Sequence, residues 1–307
     1  MINNKCPLCN ARNYLYLKKY IKGSNIQKSP AIVKCENCGH IFTLIESEVD
    51  ERLLYQEGVY KVVDIWGSVF DRILTLENNK ILKRINRYFP QRGSLLDFGC
   101  GKGHFLQLAR SNQWYVKGVE TSIPRANYGR SVYKLDIFTE NYEKGKINGS
   151  PFCVITFFHV LEHLYNPKQL LLELINKNLK KGGLVVIEVP NFNSLQSKIS
   201  GKGWLHLDLP RHISHFKEEK LKELISCLNL RTIKREYFSF HLGVLGMIQS
   251  LMQLFGYRKG IIAELKFKRS FLLMLLIFFV FPWAFIMELF SSFFKRGGII
   301  RIYTMKD

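Results

Sequence analysis

Four stretches of this chain carry the side chains from which reactive sites are made. In the first, Leu95-Leu96-Asp97-Phe98 runs into Gly99-Cys100-Gly101-Lys102-Gly103, and an apolar-periodic segment (Phe105, Leu106, Leu108, Ala109) follows. The pattern predicts a strand, a tight turn and a helix. Glycines at 99, 101 and 103 let the backbone bend sharply and approach a ligand closely, while the helix behind them presents free N–H groups. A nucleoside-like cofactor suits such a crevice. The next apolar run, 115–119, ends in Glu120, and an acid at the tip of the second strand is where a doubly wound fold grips ribose hydroxyls.

The second stretch is built on cysteine. Cys6-Pro7-Leu8-Cys9 and Cys35-Glu36-Asn37-Cys38 are two knuckles with short aromatic and β-branched runs between and after them, the signature of a four-thiolate zinc ribbon. Such a closed site is structural: the metal folds a segment too small to build its own core. His40 is read as a loop histidine after the second knuckle, with replacement of one cysteine as the alternative.

The third stretch, His159-Val160-Leu161-Glu162-His163, follows a buried strand predicted at 152–158. On a helical turn, spacing of three and four residues puts His159, Glu162 and His163 on one side, where they could bind a divalent metal or supply a general base. Simple hydrogen bonding within the loop is the competing reading. The fourth stretch, 193–216, breaks regular structure at Gly201, Gly203 and Pro210 and concentrates Trp204, His206, Asp208, Arg211, His212 and His215. It is expected to bind the acceptor. His212 and His215 are assigned to substrate binding or base work, with helix-entry hydrogen bonding as the alternative.

Taken together, these residues resemble a known family. Leu95–Gly103 is similar to the first motif of class I S-adenosylmethionine-dependent methyltransferases, written D-x-G-C-G-x-G; Asp97 sits at the family's first acid and Glu120 at its ribose ligand. The third glycine comes one residue too early for a dinucleotide fingerprint. The run 159–163 resembles the H/E-V-L-E-H segment of the ubiquinone-biosynthesis-like branch, which follows the fourth strand and faces the reacting methyl group. Pro210-Arg211-His212-Ile213-Ser214-His215-Phe216 resembles the P-R-H-x-x-H-F run of methyltransferases associated with surface polysaccharides. The resemblance implies a Rossmann-like α/β fold with a seven-stranded sheet. It places S-adenosylmethionine against Asp97, Gly99, Cys100, Gly101, Gly103, Glu120 and His159, and acceptor chemistry at His159, His163, His212 and His215.

The elements that must position these groups are legible along the chain. Residues 1–45 form the ribbon; 46–92 read as helical, and the resemblance implies that they cover the cofactor, with Tyr55, Tyr60 and Trp66 read as core residues and a lid as the alternative; 93–241 form the core. A third strand is expected near 134–139, and the resemblance implies a residue after it against the adenine, Glu140, Asn141 or Glu143, with Asp136 the weaker candidate. A helix is expected over 167–180, closed by Lys181-Gly182-Gly183 before a strand at 184–189, and a sixth strand at 230–240. Residues 242–297 are a hydrophobic insert containing 17 consecutive apolar residues, Phe271–Met287. That run is marginal for a span of about 20. Because 298–307 reads as the last strand of the sheet, the insert has to return, which favours a monotopic helical hairpin flanked by Arg258, Lys259, Lys266, Lys268 and Arg269 at anionic headgroups, with a buried helical pair or an oligomer interface as the alternative.

Composition bounds the partners. Hydrophobic residues make up 47% of the 307, which excludes a disordered chain, and 45 basic against 25 acidic residues give a formal charge of +20. That balance favours anionic partners. Charge alone does not choose among them; the hydrophobic insert and the resemblance at 210–216 imply a glycan or lipid-linked saccharide acceptor at the membrane surface, with RNA as the rival and an inactive membrane-bound scaffold as a further alternative. Met1–Lys5 leads straight into a cysteine pair, so the expected location is cytoplasmic, peripheral or monotopic on the membrane.

Overall fold

Strands buried on both faces read as continuous apolar runs, and those runs form the middle of a seven-stranded sheet in the computed structural model, which describes residues 3–17, 30–45, 64–139, 142, 145–257, 260–261, 264 and 271–307. The helices expected over 46–63, the candidates Glu140, Asn141 and Glu143, the side chains of Tyr55, Tyr60 and Trp66, and the basic residues Arg258, Lys259, Lys266, Lys268 and Arg269 lie outside the described residues. In chain order the elements begin with β1 (Tyr14–Tyr16), β2 (Ala31–Cys35), β3 (Ile41–Leu44), α1 (Asp64–Tyr88), β4 (Ser94–Phe98), α2 (His104–Ser111) and β5 (Tyr115–Val119). Then come α3 (Ile123–Tyr133), β6 (Ile137–Phe138), β7 (Phe152–Phe158), α4 (Pro167–Asn178), β8 (Leu179–Pro190) and α5 (Leu195–Ser200). The chain closes with β9 (Ser214–His215), α6 (Glu218–Ser226), β10 (Leu230–Glu236), α7 (Leu242–Leu254), α8 (Phe271–Phe293) and β11 (Ile299–Lys306).

The sheet order is β6-β5-β4-β7-β8-β11-β10, parallel except for β11, which runs antiparallel to both neighbours. Alternate residues of each strand face opposite layers. Leu96, Ile155, Ile187 and Ile302 pack with Leu171 and Leu174 of α4 and Leu221 and Leu224 of α6. Leu95, Val154, Val186 and Tyr303 pack with Ile81 and Ile85 of α1 and Phe105 and Leu106 of α2. Helices on both faces leave the carboxyl ends of β4, β5 and β7 as the open edge.

Local departures from expectation have physical causes. Helix α4 starts as predicted, with Pro167 in its first turn and the Asn166 side chain accepting from the Gln169 N–H at 3.3 Å. It ends at Asn178, and β8 begins at once, because Leu179 pairs with Phe152 and Lys180–Gly183 form an irregularity around Gly182 at φ +70°. Strand β6 is only two residues long, since Lys134 turns left-handed before it.

Two features tie the additions to the core. Strand β3 pairs with β9, so the cysteine-bearing sheet (β1-β2-β3-β9) incorporates the loop carrying His212 and His215. Helices α7 and α8 share a hydrophobic cluster of Val244, Met247, Ile248, Leu273 and Ala284. Glu288, which interrupts the apolar run in sequence, points inward: its carboxylate accepts from the Gly298 N–H and the Gln196 amide, each at 2.7 Å. A Cβ at Gly243 would lie 2.4 Å from that carboxylate, so glycine is needed for this approach.

One basic side chain lies buried within the sheet, on the strand next to its β10 edge. Arg301 is fully buried on β11, with Glu188 of β8 and Glu236 of β10 as its direct cross-strand neighbours. Its Nε donates to Glu188, Nη2 to Glu77 of α1 at 2.6 Å and Nη1 to Glu236 at 3.2 Å. Arg301→Met leaves buried carboxylates unpaired and is expected to cost about 3–5 kcal/mol in urea unfolding; a loss below about 1 kcal/mol would contradict this.

Candidate active site

The glycine turn is anchored by the tip of β5. Gly99 and Cys100 donate their N–H groups to the Val119 carbonyl at 2.7 and 3.0 Å. Gly101 adopts φ +56°, and a Cβ there would meet nothing within 4 Å, so its flank is open. Its N–H donates to Glu120 Oε2 at 2.8 Å, while Oε1 of the same carboxylate accepts from the Ser122 N–H at 2.8 Å. At Gly99 a Cβ would strike Val160 at 2.5 Å, so the turn also packs against the segment after β7.

Asp97 and Cys100 hold the turn from beneath. Asp97 is buried and accepts from the Thr156 hydroxyl at 2.6 Å, joining β4 to β7. Burial pushes its carboxyl up to about 7; the Thr156 hydrogen bond opposes this and the Glu120 charge adds to it. The Cys100 side chain is buried in the second core layer, next to Gly118, and the burial raises its thiol pKa. Cys100 thus serves the loop through its backbone.

His159 lies outside the helical turn that its spacing predicts. It sits at φ +56° between β7 and the short 3₁₀ helix Leu161–His163, and its ring pairs with two carboxylates, Nδ1 with Glu162 Oε1 at 3.1 Å and Nε2 with Glu188 Oε1 at 2.9 Å. Burial alone would lower the imidazole, but the Glu162 and Glu188 carboxylates outweigh it and hold the pKa up to about 10. The two carboxylates thus favour the protonated ring, which they hold at both nitrogens. Burial likewise pushes Glu188 upward, but the Arg301 charge and the His159 contact hold it well below the usual carboxylate range. Stability from Glu188 is present above its unfolded pKa and lost as pH falls below about 4.

The place that spacing gave to His159 beside Glu162 and His163 is taken by His212. The ligand atoms of Glu162, His163 and His212 all lie within 4.8 Å of one another. His163 Nδ1 donates to the Arg211 carbonyl at 3.0 Å and His212 Nδ1 to the His206 carbonyl at 2.8 Å. Each ring therefore turns its Nε2 away from the carbonyl it bonds, and that of His212 lies 3.8 Å from Asp208 Oδ2. Burial, with the His163 charge adding, pushes His212 down to about 4 and keeps it neutral at pH 7.

His215 belongs to the ribbon's sheet. Its Nε2 lies 2.9 Å from Thr43 Oγ1, whose hydroxyl donates to the His212 carbonyl at 2.5 Å. In the ribbon itself Cys6, Cys9, Cys35 and Cys38 converge within 4.8 Å, with Sγ pairs at 3.6 and 3.5 Å. Bonds of about 2.3 Å from a tetrahedral ion would set sulfurs about 3.8 Å apart, so the cage fits such an ion. His40 is buried outside this group, its ring 5.3 Å from that of Phe216.

Sequence reasoning missed Glu188, Arg301 and Thr43. The first two had a signal: each is a lone charge inside an otherwise apolar strand, and opposite charges in two such strands are expected to meet. Thr43 had none. A separate concavity lined by Arg110, Trp114, Tyr115, Lys134 and Asp136 lies at the amino-terminal end of β5, away from the glycine turn.

Strand order and turn geometry define an S-adenosylmethionine-dependent methyltransferase. Residues 70–234 match the family described as "Methyltransferase domain", and the chain belongs to that family. Among solved structures it is similar to the plantazolicin methyltransferase BpumL bound to a desmethylPZN analog and SAH (14% identity, 84% of this chain and 90% of that one, TM-score 0.51). It is also similar to the geranyl diphosphate C-methyltransferase of Streptomyces coelicolor A3(2), with Mg2+, geranyl diphosphate and S-adenosylhomocysteine bound (12%, 85% and 91%, TM-score 0.50). A further similar structure is a SAM-dependent methyltransferase from Archaeoglobus fulgidus (20%, 84% and 100%, TM-score 0.47). At these identities the likeness to the first two shows the fold alone. No curated protein sequence matches the chain.

The residues fit the cofactor: the open flank of Gly101 leaves room for it, the turn would carry its methionine part and Glu120 would accept from its ribose hydroxyls. Gly101→Asp fills that flank beside Glu120 in a conformation that strains any side chain. It is expected to weaken S-adenosylhomocysteine binding at least about 100-fold, or roughly 2.7 kcal/mol, by calorimetric titration with a little-changed melt. Unchanged affinity would overturn the assignment.

Proposed function

We propose that this methyltransferase O-methylates a glycan or lipid-linked saccharide at a membrane surface, with the four cysteines holding a structural zinc. The observation that carries the reading is the direct seating of the acceptor loop on the apolar α7–α8 pair. The Gly203 carbonyl accepts from Gln249 and Gln253 of α7, at 3.1 and 2.7 Å, and His206 Nε2 donates to the Leu242 carbonyl at 3.3 Å. Helix α8 is long and apolar enough to cross a membrane by length and composition, yet only 17% of its most apolar window is buried. Phe278, Trp283 and Phe290 are exposed. Polar acceptor chemistry thus adjoins a broad apolar surface, which suits a substrate with a sugar head and a lipid tail.

The sulfonium cofactor supplies a methyl group that is already strongly electrophilic. The chain's task is to align the acceptor oxygen and remove its proton. His159, doubly held, fixes the segment after β7. His163 and His212 turn their Nε2 atoms toward one another's side of Glu162, and we assign the acceptor hydroxyl to the site that these three residues form. Thr43 holds the backbone of the His212 loop, so the ribbon contributes to the site by bracing it.

Methyl label from S-adenosylmethionine is expected in the lipid-linked saccharide fraction of a membrane extract; label entering RNA instead would contradict the acceptor class. Burial of a large apolar side chain is worth about 1.5–3 kcal/mol. The triple variant Phe278→Glu, Trp283→Glu, Phe290→Glu should therefore lose co-sedimentation with anionic vesicles by at least about 100-fold while still binding S-adenosylhomocysteine. Undiminished sedimentation would remove the membrane surface from the account.

A further inference from the structure

We infer that Glu162, His163 and His212 form a binding site for one divalent transition-metal cation, which receives the acceptor oxygen. The inference deepens the proposed reading of the same site and rests on it for the acceptor. Three observations carry it. Glu162 is 1% exposed and spends Oε1 on His159, while Oε2 is buried with no hydrogen-bond partner. A buried carboxylate oxygen left in that state requires an explanation, and a cation supplies one.

The two imidazoles are already set as ligands. Each donates Nδ1–H to a backbone carbonyl, His163 to Arg211 and His212 to His206, and this fixes the tautomer that points Nε2 outward. That is the outer-shell arrangement of metal-bound histidines. Their rings meet edge to face at 4.7 Å between centroids, with the three ligand atoms inside 4.8 Å. Two bonds of about 2.1 Å span at most about 4.2 Å, so a bound ion draws the group in by roughly half an ångström.

A second carboxylate borders the site, with Asp208 Oδ2 lying 3.8 Å from His212 Nε2. Two imidazole nitrogens and one carboxylate suit zinc, iron, cobalt or manganese in preference to magnesium or calcium. Three protein ligands leave coordination positions for a hydroxyl, whose proton a bound cation acidifies. His163, only partly buried, leaves the site accessible from solvent.

Cobalt(II) is the probe, added to the full chain with its ribbon already loaded with zinc. The expected result is uptake of one equivalent with visible d–d bands and no thiolate charge-transfer band. That uptake should weaken at least 100-fold in Glu162→Gln, which is isosteric, and in His163→Ala, which removes a partly exposed ring. S-adenosylhomocysteine titrated into the same samples reports folding and the cofactor site independently. Wild-type protein that binds S-adenosylhomocysteine but takes up no cobalt overturns the cation and leaves the methyltransferase standing. Equal uptake by wild type and both variants also overturns it. Cobalt uptake without cofactor binding would instead count against the acceptor reading.

Discussion

A guanidinium buried between strands cannot stay unpaired, and the carboxylates that Arg301 gathers set the geometry of the open edge. Glu236 and Glu188 flank it across β10 and β8, and Glu77 reaches it from α1. Glu188 is shared: one oxygen faces Arg301 and the other holds His159, which in turn holds Glu162. Burying such charges is costly unless every partner is placed. The last strand of the chain therefore fixes the segment that follows β7, more than one hundred residues earlier.

The second constraint comes from the other end of the molecule. Strand β3 extends the cysteine sheet onto β9, and Thr43 bonds both the His212 carbonyl and the His215 ring. The Ile213 N–H donates to the Glu162 carbonyl at 2.7 Å, so the cysteine-bearing sheet, the His212 loop and the 3₁₀ helix are one hydrogen-bonded run. The cysteine-bearing sheet and the backbone that carries His212 are in this way held together by hydrogen bonds. The α7–α8 pair supports the same loop from the opposite side through Gly203 and His206.

How much of this could be read from sequence depends on the range of the interaction. The glycine turn, Glu120, the buried strands and the cysteine knuckles are local patterns, and each stands where its spacing placed it. His159 was assigned to a helical face because a turn was assumed; the structure gives it a left-handed backbone and two acids instead. Strand β9, two residues long, has no periodicity to detect, so its pairing with β3 could not be read. Glu288 looked like an interruption of an apolar run, but it is the inward-facing residue that ties α8 to Gly298 and Gln196. In each case the deciding partner lies tens of residues away.

The central claim is that S-adenosylmethionine occupies the carboxyl edge between the glycine turn and Glu120. Backbone amide shifts of the labelled full chain, followed as S-adenosylhomocysteine is added, test it directly. The account predicts the largest perturbations at Gly99, Gly101, Gly103, Glu120 and His159, saturating at one ligand per chain. Perturbations concentrated instead at Trp114, Tyr115, Lys134 and Asp136, around the concavity at the other end of β5, would contradict it.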